Sequence, residues 1–140
     1  MKSGRRTLAV DYGDRRTGLA VSDPTGIIVQ PLPPIETEDL EELIERIVQT
    51  AQEQEAGTVV VGMPLRLDGT VGSRAEKTRK LIERLRASLA VSVEEWDERL
   101  TSAEAEEILR QAGLNWRKRK GKLDTVAAVL ILRSYLQANG

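Results

Sequence analysis

Apolar positions open the chain as a short run, Leu8 to Val10, inside a segment from Thr7 to Tyr12 that reads as a strand closed by an acid. Gly13 to Thr17 then carries the glycine and polar residues of a turn. Gly18 to Ser22 resumes with Leu19, Ala20 and Val21, and Ile27 to Val29 makes a third run beyond Pro24 and Gly26. These runs predict an antiparallel meander, whose pattern Pro31, Pro33 and Pro34 break. From Leu40 the period changes, and Leu43, Ile44, Ile47, Val48 and Ala51 follow helical spacing with Thr37 as the expected cap. Thr58 to Val61 is a continuous β-branched run that fits a strand buried on both faces. The glycine-rich stretch from Gly62 to Gly72 predicts a flexible loop. Ser73 with Glu76 matches a capping box, and Thr78, Leu81, Ile82 and Leu85 continue on one helical face. Val91 to Trp96 predicts a further strand. Thr101 with Glu104 is a second capping box for a helix that turns Ala105, Ile108, Leu109 and Ala112 inward and stops at Gly113. A basic loop, Trp116 to Lys122, leads to a last helix over about Leu123 to Leu136. That helix is apolar around most of its circumference from Val126 to Leu132, which predicts deep packing against the sheet.

The predicted order is strand, strand, strand, helix, strand, helix, strand, helix, helix, an α/β arrangement joining an antiparallel meander to parallel strands. At 140 residues and 40% hydrophobic, with no repeat or linker in view, residues 1–140 are expected to form a single domain.

Composition narrows the chemistry. The chain has no cysteine, which excludes disulfides, thiolate zinc sites and a cysteine nucleophile. It also has no histidine, which removes the usual general base, the Ser-His and Cys-His pairs, and the commonest transition-metal ligand. An enzyme built from this chain must work with carboxylates, lysines or a bound ion. The basic start, Met1 to Arg6, precedes an apolar run too short for a signal peptide or membrane span, so a cytoplasmic protein without membrane contact is expected. A net charge of -1 means that any nucleic-acid binding must come from local basic clusters.

Asp11, the pair Asp97 and Glu98, and Asp124 sit where a strand ends or a helix begins, positions at a rim rather than in a core. Cleaving a phosphodiester without histidine commonly takes two divalent ions, and magnesium or manganese favours a cluster of carboxylate oxygens from distant segments. Each acid also has an ordinary structural role open to it. Asp11 can open the turn at Gly13, Asp97 and Glu98 can pair with Arg99 or favour the next helix N-terminus, and Asp124 can cap the last helix. Spacing alone does not decide between these.

Taken together the motifs are more specific. Val10-Asp11-Tyr12-Gly13 with Arg16, Gly18, Ala20 and Ser22-Asp23, then Gly62-Met63-Pro64 with Asp68-Gly69, then Asp97-Glu98-Arg99-Leu100-Thr101, and finally Asp124 with Ala127-Ala128 resemble the YqgF family, also called RuvX. The resemblance covers nearly the whole chain. It implies an RNase H-like fold related to the RuvC Holliday-junction resolvase, with a central five-stranded mixed sheet whose first three strands are antiparallel, flanked by helices. It further implies Asp11 as the central metal ligand, Asp97 or Glu98 as a second, Asp124 as a third, and magnesium or manganese, two ions, as cofactor. A strand alternates faces, so Asp97 and Glu98 cannot both enter the site; shared parity with Val91 and Val93 favours Asp97. Gly13 and Gly18 would let a substrate backbone approach closely. Asp14 departs from the family pattern, and either adds negative charge to the metal site or points into solvent.

Basic residues near these acids are candidates for phosphate contacts: Arg117, Lys118, Arg119, Lys120 and Lys122 before Asp124, and Arg15, Arg16, Arg74 and Lys77 around the first motif. Trp116 is a candidate for base stacking, although aromatics at 3% of the chain favour reading of backbone or shape. The leading expectation is a nuclease that matures the 5′ end of precursor 16S ribosomal RNA. A second is a resolvase of four-way DNA junctions, which needs two active sites and hence a homodimer, whereas the first is open to a monomer. Two readings come from other classes: a non-catalytic nucleic-acid-binding module, and a phosphate-binding turn of the actin, Hsp70 and sugar-kinase type, which requires two such domains.

Overall fold

In the computed structural model the described residues are 5–64, 72–98 and 120–139, with the backbone alone described at 120–125. Strands β1 (Arg6–Asp11), β2 (Arg16–Ser22) and β3 (Val29–Glu36) are followed by helix α1 (Leu40–Glu53), strand β4 (Ala56–Met63), helix α2 (Ser73–Ser88), strand β5 (Ser92–Asp97) and helix α3 (Lys120–Asn139). They build a five-stranded sheet in the order β3-β2-β1-β4-β5. The β1–β2 and β2–β3 pairs are antiparallel, and β1–β4 and β4–β5 are parallel. This is the mixed sheet expected from the sequence. Because β1, β4 and β5 run the same way, their C-terminal ends share one edge.

The two central strands explain their own composition. Leu8, Ala9 and Val10 on β1 and Val59, Val60 and Val61 on β4 are all 0% exposed, which only a sheet covered on both faces permits. Alternation divides them. Leu8, Val10, Val59, Val61 and Met63 join Leu43, Ile44 and Ile47 of α1, and Leu81, Ile82 and Leu85 of α2, in the larger core. Ala9, Ala20 and Val60 face the other way, against Ala128, Ile131, Leu132 and Tyr135 of α3. Small side chains on that face bring α3 close to the strands.

Several local expectations are corrected. Ile27 and Ile28 belong to a turn, exposed at 81% and 60%, and β3 starts only at Val29. The Asp23 carboxylate organises that turn by accepting from Thr25 Oγ1 at 2.6 Å and from the amides of Ile27 and Ile28 at 2.8 and 3.1 Å. These bonds, that from the Thr25 hydroxyl foremost, hold its pKa below the usual value. Gly26, at φ 77, occupies the left-handed position within it. The prolines do not end β3. It is an edge strand, which does not need every N–H, and its register shifts between Thr17 and Leu19 of β2, so that Pro33 and Pro34 fall where the ladder is interrupted. Helix α1 is capped by Asp39, whose side chain accepts from the Glu41 amide, rather than by Thr37. Thr37 instead receives the Asp39 amide at 3.1 Å. Helix α2 takes Gly72 as N-cap with no side-chain cap bond, so Ser73 is not the cap of a capping box. The predicted helix from Thr101 to Gly113 and most of the loop from Gly62 to Gly72 lie outside the described residues.

Helix α3 is fixed at its C-terminal half by polar contacts. Trp96 Nε1 donates to Ser134 Oγ at 3.0 Å, and Tyr135 OH donates to Glu94 Oε2 at 2.6 Å. The Trp96 and Tyr135 rings meet edge to face, 5.6 Å between centroids at 84°. Leu136 lies beside Gly26, at the edge of the sheet where β2 ends. The helix therefore runs antiparallel to β1, with its N-terminal end toward the C-terminal ends of the parallel strands. Among the described residues no helix is long and apolar enough to cross a membrane.

Burial, then the hydrogen bond and charge of Glu94, push the Tyr135 phenol from 10.0 up to about 12. A raised phenol pKa means that the fold favours the protonated form. The stability it adds is fully present below pH 10 and is lost as pH rises through about 12. The stability difference between wild type and Tyr135→Phe, measured by urea unfolding, should therefore close across that window. A difference unchanged by pH would mean that the phenol does not donate to Glu94.

Candidate active site at the strand ends

Asp11 is the last residue of β1, half-buried, and pairs with Gly18 of β2. It shares parity with Ala9, so it belongs to the α3 face. The β1–β4 register ends at Val10 with Val61, and one step further sets Asp11 level with Gly62. Gly62 is in turn paired with Trp96, and Met63 with Asp97.

This register reverses the preference for Asp97. Asp97 does share parity with Val93, but Val93, and Met63, which pairs with Asp97, belong to the core beneath α1 and α2, on the face opposite Asp11. Burial occurs on both faces of the sheet, so the buried side of β5 at Val93 need not be the side that Asp11 shares. Glu98, the next residue, has Trp96 parity and lies over Gly62. A Cβ placed on Gly62 would come within 2.7 Å of Glu98 Oε1, 3.0 Å of Glu98 Cγ and 2.6 Å of Ile131 Cδ1. Gly62 is thus a floor without a side chain on which the Glu98 carboxylate rests, one strand spacing, about 4.8 Å, from Asp11. The sequence placed Gly62 in the Gly62-Met63-Pro64 motif and at the start of a loop, and neither marked it for this role.

Asp124 lies on the α3 backbone, and its side chain is not among those described. Positions 124, 128, 131 and 135 fall on one stripe of the helix, the stripe that carries Ala128, Ile131 and Tyr135 against the sheet. With Ile131 above Gly62, position 124 is two turns nearer the strand ends. The topology thus brings Asp11, Glu98 and the start of α3 to one corner and leaves Asp97 on the other face. Among the described residues no three acids form a complete ion-binding group.

The turn after Asp11 faces α2. Gly13 has no room for a Cβ, which would meet Arg16 O at 2.1 Å. Asp14, the departure noted in the sequence, is paired with Lys77 Nζ at 3.8 Å, so its charge is directed toward α2. Arg15 pairs with Glu38 at 3.2 Å and Arg16 with Glu36 at 2.6 Å, and Arg74 Nη2 donates to the Tyr12 carbonyl at 3.1 Å. The sequence reading missed Glu36 and Glu38, which partly neutralise this cluster. Exposed pairs of this kind are weak, so a phosphate can compete for the cations. Trp116, Arg117, Lys118 and Arg119 lie outside the described residues, as do the side chains of Lys120 and Lys122.

The family model "RuvX: Holliday junction resolvase" matches residues 5–138. A protein of Halothermothrix orenii named "Putative pre-16S rRNA nuclease" is 45% identical over 131 residues, 94% of each chain. One of the same name from Syntrophus aciditrophicus is 42% identical over 95% of this chain and 89% of its own. Among solved structures, Thermus thermophilus RuvC in complex with a Holliday junction superposes with TM-score 0.58 at 15% identity, covering 97% of this chain and 96% of its own. The yeast mitochondrial Holliday junction resolvase Ydc2 superposes with TM-score 0.60 at 10% identity, covering 97% and 79%. At these identities the two structures establish the shared RNase H-like fold.

Gly62 offers a test of the site's packing. Gly62→Ala should cost about 1–3 kcal/mol in urea unfolding, because the new methyl group overlaps Ile131 and Glu98. Ile131→Val removes the very Cδ1 atom in the way, so the double variant should be more stable than the two single losses added together. Simple additivity would mean that Ile131 does not overlie Gly62.

Proposed function

The chain belongs to the RuvX family, and from that premise we propose that it is a metal-dependent nuclease that trims the 5′ end of precursor 16S ribosomal RNA. Resolvase and ribosomal RNA nuclease both denote hydrolysis of a nucleic-acid phosphodiester, so the chain is a hydrolase of that ester bond. The RNA substrate is carried over from the relatives' names. The observation that carries the site assignment is the seating of Glu98 on Gly62, level with Asp11.

The donor set fits a divalent ion. Asp11 and Glu98 offer carboxylate oxygens, the hard donors that magnesium and manganese favour, and a chain without histidine has few other means of activating water. Asp11, Glu98 and Asp124 would hold the metal, which when bound supplies an activated water and stabilises the leaving oxygen. The chain's own groups do the rest. Gly13 lets the substrate backbone approach the turn, and Arg15, Arg16 and Lys77 exchange their acidic partners for phosphates. The basic stretch Arg117 to Lys122, which precedes Asp124 in sequence, supplies further candidates for phosphate contact, and Trp116 one for stacking. Residues 1–140 act as a single RNase H-like domain in the cytoplasm, with RNA as partner.

The test is cleavage of labelled precursor 16S RNA beside a four-way DNA junction, with manganese or EDTA. Wild type should cut the RNA only with manganese. Asp11→Asn and Glu98→Gln should each lose at least about a hundredfold in rate, and Asp97→Asn much less. Cutting of the junction alone would move the substrate to branched DNA. Loss in Asp97→Asn with Glu98→Gln active would return the second ligand to Asp97.

A further inference from the structure

Resting on that reading of the strand-end acids, we propose that Arg74 is a positioning residue for Asp11, acting through the Tyr12 carbonyl rather than on the nucleic acid. Arg74 is the second residue of α2, in the first turn of the helix. A cation there is opposed by the helix dipole, so its placement asks for a reason outside the helix. The structure supplies one. The guanidinium spans from α2 to the main chain just after Asp11, 62 residues away in sequence, and Nη2 donates to Tyr12 O at 3.1 Å.

That carbonyl is where the turn needs holding. Asp11 is the last residue in the ladder with β2, and the recorded pairing with β4 stops one residue earlier. The bonds within the turn are long, Gly13 N to Thr17 Oγ1 at 3.4 Å and Thr17 Oγ1 to Gly13 O at 3.5 Å. Its far side is tied by Thr37 N donating to Arg15 O at 3.0 Å. Arg74 ties the near side, one peptide beyond the acid, and Lys77 with Asp14 gives a second, looser link one helical turn along. The two links fasten the turn to α2, which is itself rooted in the core through Ala75, Thr78 and Leu81. A charge-assisted bond to that carbonyl fixes the Tyr12–Gly13 peptide plane, the second after Asp11, and so limits the backbone rotation by which the Asp11 carboxylate changes direction.

The test separates a hydrogen bond from a charge. Arg74→Met keeps the apolar stem and removes every donor, whereas Arg74→Gln keeps an N–H donor without charge. Arg74 is exposed, so both variants should fold with thermal midpoints near wild type. In metal-free protein the Gly13 amide, which shares its peptide with the Tyr12 carbonyl, should shift in the NMR spectrum of Arg74→Met and return toward wild type in Arg74→Gln. Manganese affinity by calorimetry should fall about tenfold in Arg74→Met and recover in Arg74→Gln. Cleavage should follow with a loss of about tenfold to a hundredfold in kcat and a KM within about twofold of wild type. A phosphate contact would give the opposite pattern: raised KM, a shallower salt dependence, unchanged kcat, and rescue by Arg74→Lys but not by Arg74→Gln. That pattern, or an unmoved Gly13 amide, overturns the proposal. If wild type binds manganese but cuts neither RNA nor junction, the functional reading fails while the amide and affinity data still decide the role of Arg74. If wild type binds no manganese, both fall.

Discussion

The closeness of α3 to the sheet governs this structure. On the face it covers, β1 and β2 present Ala9 and Ala20, and β4 presents Val60 and then Gly62, which has no side chain. The helix answers with Ala128 and Ile131, and the Glu98 carboxylate enters beside Ile131 in the space a Cβ would have filled. Close packing and an acidic corner are thus the same feature. A larger residue at Gly62 would push both apart, since interiors packed at crystal density transmit a change of one methyl group.

The opposite face is built on another principle. There α1 and α2 lay amphipathic stripes over Leu8, Val10, Val59 and Val61, and the result is a conventional apolar core. The site touches this side only through the turn after Asp11, where Arg74 and Lys77 reach across. The α3 face therefore carries Asp11 and Glu98, and the residues that reach the turn after Asp11 come from the α2 side.

Much of this was legible in the sequence because the dominant forces are periodic. The runs at Leu8 to Val10 and Thr58 to Val61, and the helical spacing from Leu43 to Ala51, reflect burial that single residues report directly. The errors have specific physical sources. Pro31, Pro33 and Pro34 looked like a strand breaker, but an edge strand with a shifted register absorbs them, and edge status is a property of the assembled sheet. Parity favoured Asp97 because Val93 is buried, yet burial occurs on both faces and only the register with β4 shows which one Asp11 shares. Asp39 and Gly72 displaced Thr37 and Ser73 as caps because a cap depends on where the chain enters the helix, by one or two residues. Gly62 stood in the Gly62-Met63-Pro64 motif, but nothing local marked its packing role, which is set by side chains from two distant segments.

The contacts that hold α3 are unevenly distributed along it. Ser134 and Tyr135 bond to β5, while Asp124 lies eleven residues earlier on the same helix. At 1.5 Å per residue that is an arm of about 16 Å, so a rotation of about 5° at the clamp moves the far end by about 1.4 Å. The contacts of Ser134 and Tyr135 with β5 thus act as the fulcrum of a lever whose far end is the start of α3.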